Sequence, residues 1–187
     1  TMGLNRLRPI VTIRRDHPSL TGRDVLRDVE GKAPRVADRA DVVTRPTWRD
    51  DRTVIYGRAE ARREDILMRN ADGSGEEIKI GTGMTSRAAA GRLFFAKLSA
   101  ATNGDLFQVL LPPGSAPPGP PELVQQLPVH EWEPSLSPDG TLLAYSSGDI
   151  GQSEVILRTY PTQTGQWQVS SAGGSYAVWS PRSDVIY

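Results

Sequence analysis

The side chains that commonly carry chemistry are sparse in this sequence, and their spacing does not form a catalytic or metal-binding set. The two histidines, His17 and His130, lie far apart, and neither belongs to a His-x-x-x-His pair that could bind zinc. Gly73-Ser74-Gly75 lacks the spacing of a hydrolase nucleophile elbow, and Gly81-Thr82-Gly83 lacks the third glycine of a dinucleotide-binding loop. The absence of cysteine excludes disulfides, thiolate ligands and a cysteine nucleophile. We therefore expect no catalytic residues, no bound metal and no cofactor.

Composition narrows the range of partners. The 187 residues include 22 basic and 22 acidic side chains, so the formal net charge is zero and gives no electrostatic reason to expect nucleic acid or an anionic membrane. No apolar run approaches the roughly 18–20 residues that cross a bilayer, and no signal peptide is recognisable. Because the chain starts with Thr1 and stops inside a repeat, we expect it to be a fragment of a longer protein.

One stretch, Pro134–Tyr145, predicts two strands joined by a tight turn. Ser137-Pro138-Asp139-Gly140 has turn chemistry, because proline presets φ, aspartate bonds to nearby backbone and glycine accepts positive φ. The run Leu142–Tyr145 that follows is apolar at consecutive positions, as in a strand buried on both faces. The stretch therefore reads as a β-hairpin whose second strand lies inside a core.

The hairpin recurs along the chain in degraded form. Copies surround Trp48, Gly91 and Trp179, and their turns are spaced by 39, 49 and 43 residues. A period of roughly 40–45 residues is typical of four-stranded propeller blades. The sequence therefore predicts an all-β fold, a β-propeller of four-stranded antiparallel blades, with about three and a half blades present as a partial ring.

The repeats divide the chain into segments. Residues 1–40 are expected to form an N-terminal flank or a degenerate blade, and residues 41–187 the propeller blades. The predicted blades are 41–82, 83–130, 131–174 and a truncated 175–187. Within the second, Pro112–Pro121 cannot be a strand, because proline has no amide donor. We expect a surface loop there, and a polyproline ligand for another protein is the alternative.

The best-preserved repeat, Glu131–Tyr145 followed by Ser153-Glu154-Val155 and Val178-Trp179-Ser180-Pro181, resembles the TolB-like "Pro-Asp" β-propeller repeat. It is similar to the C-terminal propellers of bacterial membrane-anchored serine/threonine kinases and sensor-like proteins. The resemblance implies a six-bladed parent ring and, if the chain follows the family, a periplasmic or extracytoplasmic location. The chain departs from the pattern at Arg87, where the repeat alignment places a tryptophan.

Ligands of propellers bind at the central channel, where the residues just before each inner strand converge. The repeat alignment places Thr44-Arg45, Thr85-Ser86, Trp132-Glu133 and Ser175-Tyr176 there. Their mixture of charge, hydroxyl groups and aromatic rings suits a polar ligand or a loop of a partner protein. Arg45, Trp132, Glu133 and Tyr176 are the candidate binding residues.

The sequence is compatible with two functions. The first is a non-catalytic module for protein–protein interaction or ligand sensing within a larger bacterial protein. The second is the substrate-gating propeller of a prolyl-oligopeptidase-like serine peptidase, whose catalytic domain would lie outside this chain. If the ring is partial, two blade faces are unpaired, and self-association through these faces is also expected.

Overall fold

The described part of the chain is built from β-strands. The computed structural model describes residues 12–13, 26–27, 42–60, 63–99, 103–149, 151–180, 182 and 185–187. The strands in these ranges are β1 (Thr12–Ile13), β2 (Leu26–Arg27), β3 (Val42–Trp48), β4 (Thr53–Glu60), β5 (Arg63–Asn70), β6 (Ile78–Thr82), β7 (Met84–Ala89), β8 (Arg92–Ser99), β9 (Asn103–Leu110), β10 (Glu122–Gln125), β11 (Glu131–Leu136), β12 (Leu142–Ser147), β13 (Glu154–Thr159) and β14 (Gln166–Gln168). No helix in the described part is long and apolar enough to cross a bilayer.

Twelve of these strands form three four-stranded antiparallel sheets in simple sequence order. Blade 1 contains β3 to β6, blade 2 contains β7 to β10, and blade 3 contains β11 to β14. This confirms the predicted all-β fold of four-stranded antiparallel blades, with about three blades present. β1 and β2 pair with each other, and the rest of the predicted N-terminal flank lies outside the described residues.

A fourth sheet begins after blade 3. Trp179 pairs with Ile186, and Val178 and Tyr187 exchange both of their backbone hydrogen bonds, at 3.0 and 2.9 Å. The predicted turn of this repeat falls partly on residues outside the described ranges. The two segments of this repeat are thus joined by an isolated antiparallel bridge, in the same sense as the pairing in the complete blades.

The core lies between the blades because each second strand has apolar side chains on both faces. Between blades 1 and 2, Ile55 and Ile66 pack with Leu93 and Phe95. In the next interface, the core comprises Phe94, Ala96, Leu106, Leu136, Leu143, Tyr145, Ile156 and Tyr160. Neighbouring residues of β8 therefore belong to different cores, since side chains alternate across a strand. The predicted apolar runs are buried as expected.

The Pro-Asp-Gly turn of blade 3 is stabilised by its own side chains. The Gly140 amide donates to the Ser137 carbonyl oxygen at 2.9 Å, and Gly140 has a φ of 75°. The Asp139 carboxylate accepts hydrogen bonds from Ser137 Oγ and from the Thr141 amide at 2.5 and 3.1 Å, which lowers the pKa of Asp139. These hydrogen bonds give the residues a structural role in the turn.

Blade 2 departs from the repeat alignment by one residue. In blade 1, Trp48 pairs with Val54, and in the fourth repeat Trp179 pairs with Ile186. In blade 2, Leu93 is the residue that corresponds to Val54 and Ile186, and its partner is Ala88. The prediction that Arg87 holds the tryptophan position is therefore wrong. The reason is a shorter hairpin, in which Ala90 and Gly91 both have positive φ, as a two-residue type I′ turn requires.

The proline-rich segment is the predicted loop between the third and fourth strands of blade 2, and one arginine of blade 1 holds it. Arg49 Nη2 donates to the carbonyl oxygens of Pro112, Gly114 and Ala116 at 2.6, 3.0 and 2.8 Å. The Arg49 side chain is only 6% exposed. The loop is thus bound to the turn between β3 and β4 by charge-assisted hydrogen bonds.

We expect Arg49→Gln to release this loop and to lower the free energy of unfolding by about 1–3 kcal/mol, because three carbonyl groups lose a charged donor. The amide of Gly119, which donates to the Leu110 carbonyl at 2.9 Å, should exchange with solvent faster. Hydrogen exchange followed by NMR measures this directly. Arg52→Gln, in the exposed part of the same turn, is the control and should leave the Gly119 rate unchanged.

The two ends of the array differ. On blade 1, Val54 and Tyr56 are 1% and 0% exposed, so these two apolar side chains are not open to solvent. On blade 3, Ala144 and Val155 are covered by the start of the fourth sheet, beside a groove of about 530 Å³. Self-association stays a prediction, and this groove is the surface to which it applies.

Candidate functional site

Bulges in the first strands of the blades create the candidate site. The pairing register skips between Thr44 and Thr47 in β3 and between Trp132 and Ser135 in β11. We expected the candidate residues to precede the inner strands, but Arg45 and Glu133 lie inside them, at these bulges. A bulge adds a residue to one strand and turns its side chain away from the regular ladder.

The bulge residues share an uncommon backbone conformation. Arg45 has a φ of 44°, Glu133 a φ of 52°, and Tyr176, at the corresponding position of the fourth repeat, a φ of 61°. Residues other than glycine rarely adopt this left-handed region, and each such residue costs of the order of 1–3 kcal/mol. Strain of this kind persists where the surroundings hold it, and it is concentrated at binding and active sites.

These three residues meet through the Glu133 carboxylate. Arg45 Nη2 lies 3.7 Å from Glu133 Oε1, and the Tyr176 amide donates to Glu133 Oε2 at 3.0 Å. One carboxylate thus connects blade 1, blade 3 and the start of the fourth sheet. The structure brings together residues that the sequence separates by more than 40 positions on each side.

The residues line a pocket of about 260 Å³. Its lining comprises Arg45, Pro46, Thr85, Ser86, Arg87, Glu133, Ser135, Tyr176, Ala177 and Val178. Thr85 Oγ1 donates to the Arg45 carbonyl oxygen at 3.2 Å, and Ser86 Oγ donates to that of Pro134. Both hydroxyl groups therefore link blade 2 to its neighbours, and the arginines, Glu133 and Tyr176 provide the charged and aromatic surface.

Burial sets the electrostatics of the pocket. The Glu133 side chain is 7% exposed, and this burial raises the pKa of Glu133 against the opposing effects of Tyr176 and Arg45. Tyr176 is 60% exposed, and the interaction of its hydroxyl group with the Glu133 carboxylate raises the pKa of the phenol, which stays protonated at neutral pH. Among the described residues, Glu133 Oε1 has no hydrogen-bond donor.

Trp132 lies behind the pocket instead of lining it. Its ring packs edge-on against Tyr176, with ring centroids 5.9 Å apart, and also contacts the core between blades 2 and 3. Of the four predicted binding residues, Arg45, Glu133 and Tyr176 are thus brought together, and Trp132 supports Tyr176. Arg87 lines the pocket but was missed, because the repeat alignment gave its position to a core tryptophan.

A second polar cluster is buried between blades 2 and 3. Gln125 donates to Glu131 Oε1 and, at 2.8 Å, to the Tyr145 hydroxyl group, and it accepts a hydrogen bond from Arg158. Glu131 is 0% exposed, and burial raises its pKa to about 7. Sequence reasoning missed this cluster, because Glu131 reads as an ordinary polar residue at the start of a strand.

Metal chemistry has no support in the part of the chain that the structure describes. No group of three or more histidine, aspartate or glutamate side chains is placed there to bind a metal ion. The pocket therefore offers hydrogen bonds, two guanidinium groups and one buried carboxylate for binding.

Comparisons with solved structures define the class of protein as a partial β-propeller. The chain superimposes on the crystal structure of TolB from Acinetobacter baumannii with a TM-score of 0.63 and 17% sequence identity, over 87% of this chain and 41% of that one. It also superimposes on a putative TolB from Agrobacterium tumefaciens with a TM-score of 0.52 and 17% identity, over 68% of this chain and 48% of that one.

The chain therefore has the TolB-like propeller fold, which confirms the resemblance read from its repeats. It spans less than half the length of these two structures. No family model matches the sequence, and no curated protein matches it.

Proposed function

We propose that the chain is a non-catalytic β-propeller module, part of a larger bacterial protein, that binds a partner protein or a polar ligand in the pocket between its blades. The observation that carries this proposal is the convergence of Arg45, Glu133 and Tyr176, which are contributed by different blades and share a strained backbone. Strain retained at the same position of three repeats supports a role in binding, since a blade needs no left-handed arginine or tyrosine to fold.

The chemistry of the pocket supports binding in preference to catalysis. Nucleophilic catalysis needs a hydroxyl or thiol group within hydrogen-bond reach of a base. The hydroxyl groups of Thr85 and Ser86 donate to backbone carbonyl oxygens instead. The Tyr176 phenol has a raised pKa, so it is a hydrogen-bonding group and an aromatic surface.

A site-specific photocrosslink tests the proposal. We expect p-benzoylphenylalanine in place of Tyr176 to crosslink a discrete partner in an extract of the source organism, because Tyr176 lies exposed at the rim of the pocket. The matched control carries the same crosslinker at Trp167, which is 51% exposed on the outer strand β14. The crosslink from position 176 should be lost when Glu133→Ala is added.

Identical crosslinks from positions 176 and 167, or a crosslink insensitive to Glu133→Ala, would place the interaction elsewhere and contradict the proposal. The gating role in a peptidase remains an alternative, and no specific observation favours it. An extracytoplasmic location likewise stays an expectation.

A further inference from the structure

We infer that the pocket binds the C-terminal residue of a polypeptide, with the terminal carboxylate on Arg45 and Arg87 and the last amide N–H on Glu133 Oε1. This inference rests on the proposed function and specifies the chemistry of the ligand. It follows from the unused hydrogen-bonding capacity of three side chains in one pocket.

The two guanidinium groups of the pocket are available to an anion. Arg45 is 36% exposed at its side chain, and its contact with Glu133 is an ion pair at 3.7 Å, which is longer than a hydrogen bond. Arg87 is exposed, and no carboxylate of the described residues forms an ion pair with it. Guanidinium groups bind carboxylates with paired N–H donors, so a ligand carboxylate gains bonds that these side chains do not make now.

Glu133 requires a donor at the same place. Its side chain is 7% exposed, Oε2 accepts the Tyr176 amide, and Oε1 accepts no hydrogen bond among the described residues. A buried acceptor without a donor is unfavourable. Because Oε1 is itself enclosed, a ligand N–H reaches it once the Glu133 side chain turns toward the pocket, and the bond then also removes this unfavourable burial. The carboxylate of Glu133 repels a phosphate dianion about twice as strongly as a carboxylate with a single charge, which favours the carboxylate over a phosphate group in this pocket.

The spacing of Arg45 and Glu133 is compatible with the end of a polypeptide. Arg45 Nη2 and Glu133 Oε1 are 3.7 Å apart, so the anion and the donor of the ligand must be close neighbours. In a C-terminal residue both are bonded to the same Cα, through bonds of about 1.5 Å. The pocket volume of about 260 Å³ is below the roughly 300–1,000 Å³ of small-molecule sites, which suits a ligand as small as one terminal residue.

The test uses random hexapeptides attached through their N-termini, made in two versions, one with a free C-terminal carboxylate and one with a C-terminal amide. The full chain is expected to select free-acid peptides. The best of these, remeasured in solution by fluorescence polarisation, should bind at least tenfold more tightly than its amide. Arg45→Gln and Arg87→Gln should each weaken the free acid about tenfold or more, whereas Arg52→Gln, in an exposed turn, should not.

Equal binding of the acid and amide versions, or binding of neither, would overturn the inference. Urea unfolding of each variant shows whether a loss of binding reflects a loss of folding. The two proposals can be tested separately. If the Tyr176 crosslink depends on Glu133 but acid and amide peptides bind equally, the pocket is a binding site and the C-terminal residue is not its ligand. Absence of any crosslink from position 176 in the otherwise native chain rejects the binding role itself.

Discussion

Phe94→Ala is expected to lower the free energy of unfolding by about 3–5 kcal/mol, the range for a large aromatic side chain removed from a core. Phe94 is fully buried in the core between blades 2 and 3, where it packs with Leu136, Leu143 and Tyr145. Its ring also meets the edge of Tyr160, with centroids 5.4 Å apart. The cavity would lie between two sheets, so the substitution weakens the interface that holds neighbouring blades together.

Urea unfolding followed by tryptophan fluorescence measures this loss. The control is Leu98→Ala on the same strand, β8, where the side chain is 64% exposed and the expected change is within about 0.5 kcal/mol. Comparing the two variants separates the effect of burial from that of strand propensity, because both residues lie in the same strand. Similar small losses at both positions would show that the blades do not depend on each other for stability.

The second large effect is a fall in stability as the pH rises, caused by Glu131. Burial between the blades raises the pKa of Glu131 from its ordinary value of 4.5 to about 7. Between these two values the folded chain holds a proton that the unfolded chain has released, so stability decreases as the pH increases. The contribution is fully present below pH 4.5 and is lost as the pH rises through about 7.

The groups that face Glu131 shift its pKa in opposite directions. Asp105 on β9 raises its pKa, whereas the hydrogen bond from Gln125 on β10 and the charge of Arg158 on β13 lower it, and burial outweighs both. Tyr145 on β12 shares the hydrogen bonds of Gln125. The rise of the pKa from 4.5 to about 7 corresponds to a loss of about 3 kcal/mol between acidic and mildly alkaline pH.

Glu131→Gln mimics the protonated side chain, so the difference in unfolding free energy between variant and native chain should grow across this pH range. Glu76→Gln, in the exposed turn before β6, corrects for the general titration of surface carboxylates and should show no such trend. A difference for Glu131→Gln that is constant from pH 4.5 to 8 would show that Glu131 is ionised throughout, contrary to its burial.

Local signals were sufficient to predict the blades. Proline, aspartate and glycine at Ser137–Gly140 specify a turn through their own backbone preferences, and the apolar run Leu142–Tyr145 specifies a strand covered on both faces. Recurrence at a period near that of a blade then predicts the stacking of the sheets. The proline-rich loop was also predictable, because a run of several prolines leaves too few amide donors to form a ladder.

The candidate site was predicted in part. Alignment of the repeats brought Arg45, Glu133 and Tyr176 together, since residues at the same position of successive blades point toward a common centre. It misplaced Trp132, which packs behind Tyr176, and it missed Arg87. The cause is a one-residue difference in the turn at Ala90-Gly91, which shifts the bulge of blade 2 relative to those of blades 1 and 3.

The sequence by itself determined the strands, the turns and the order of the blades, because these depend on backbone preferences and on apolar patterns within about a dozen residues. Only the tertiary structure decided which polar groups became buried. Glu131 and Glu133 are two positions apart on one strand, yet one carboxylate is enclosed between blades and the other lines a pocket beside Arg45. Burial and pairing depend on side chains that neighbouring blades contribute from some 40 residues away, and no local pattern contains that information.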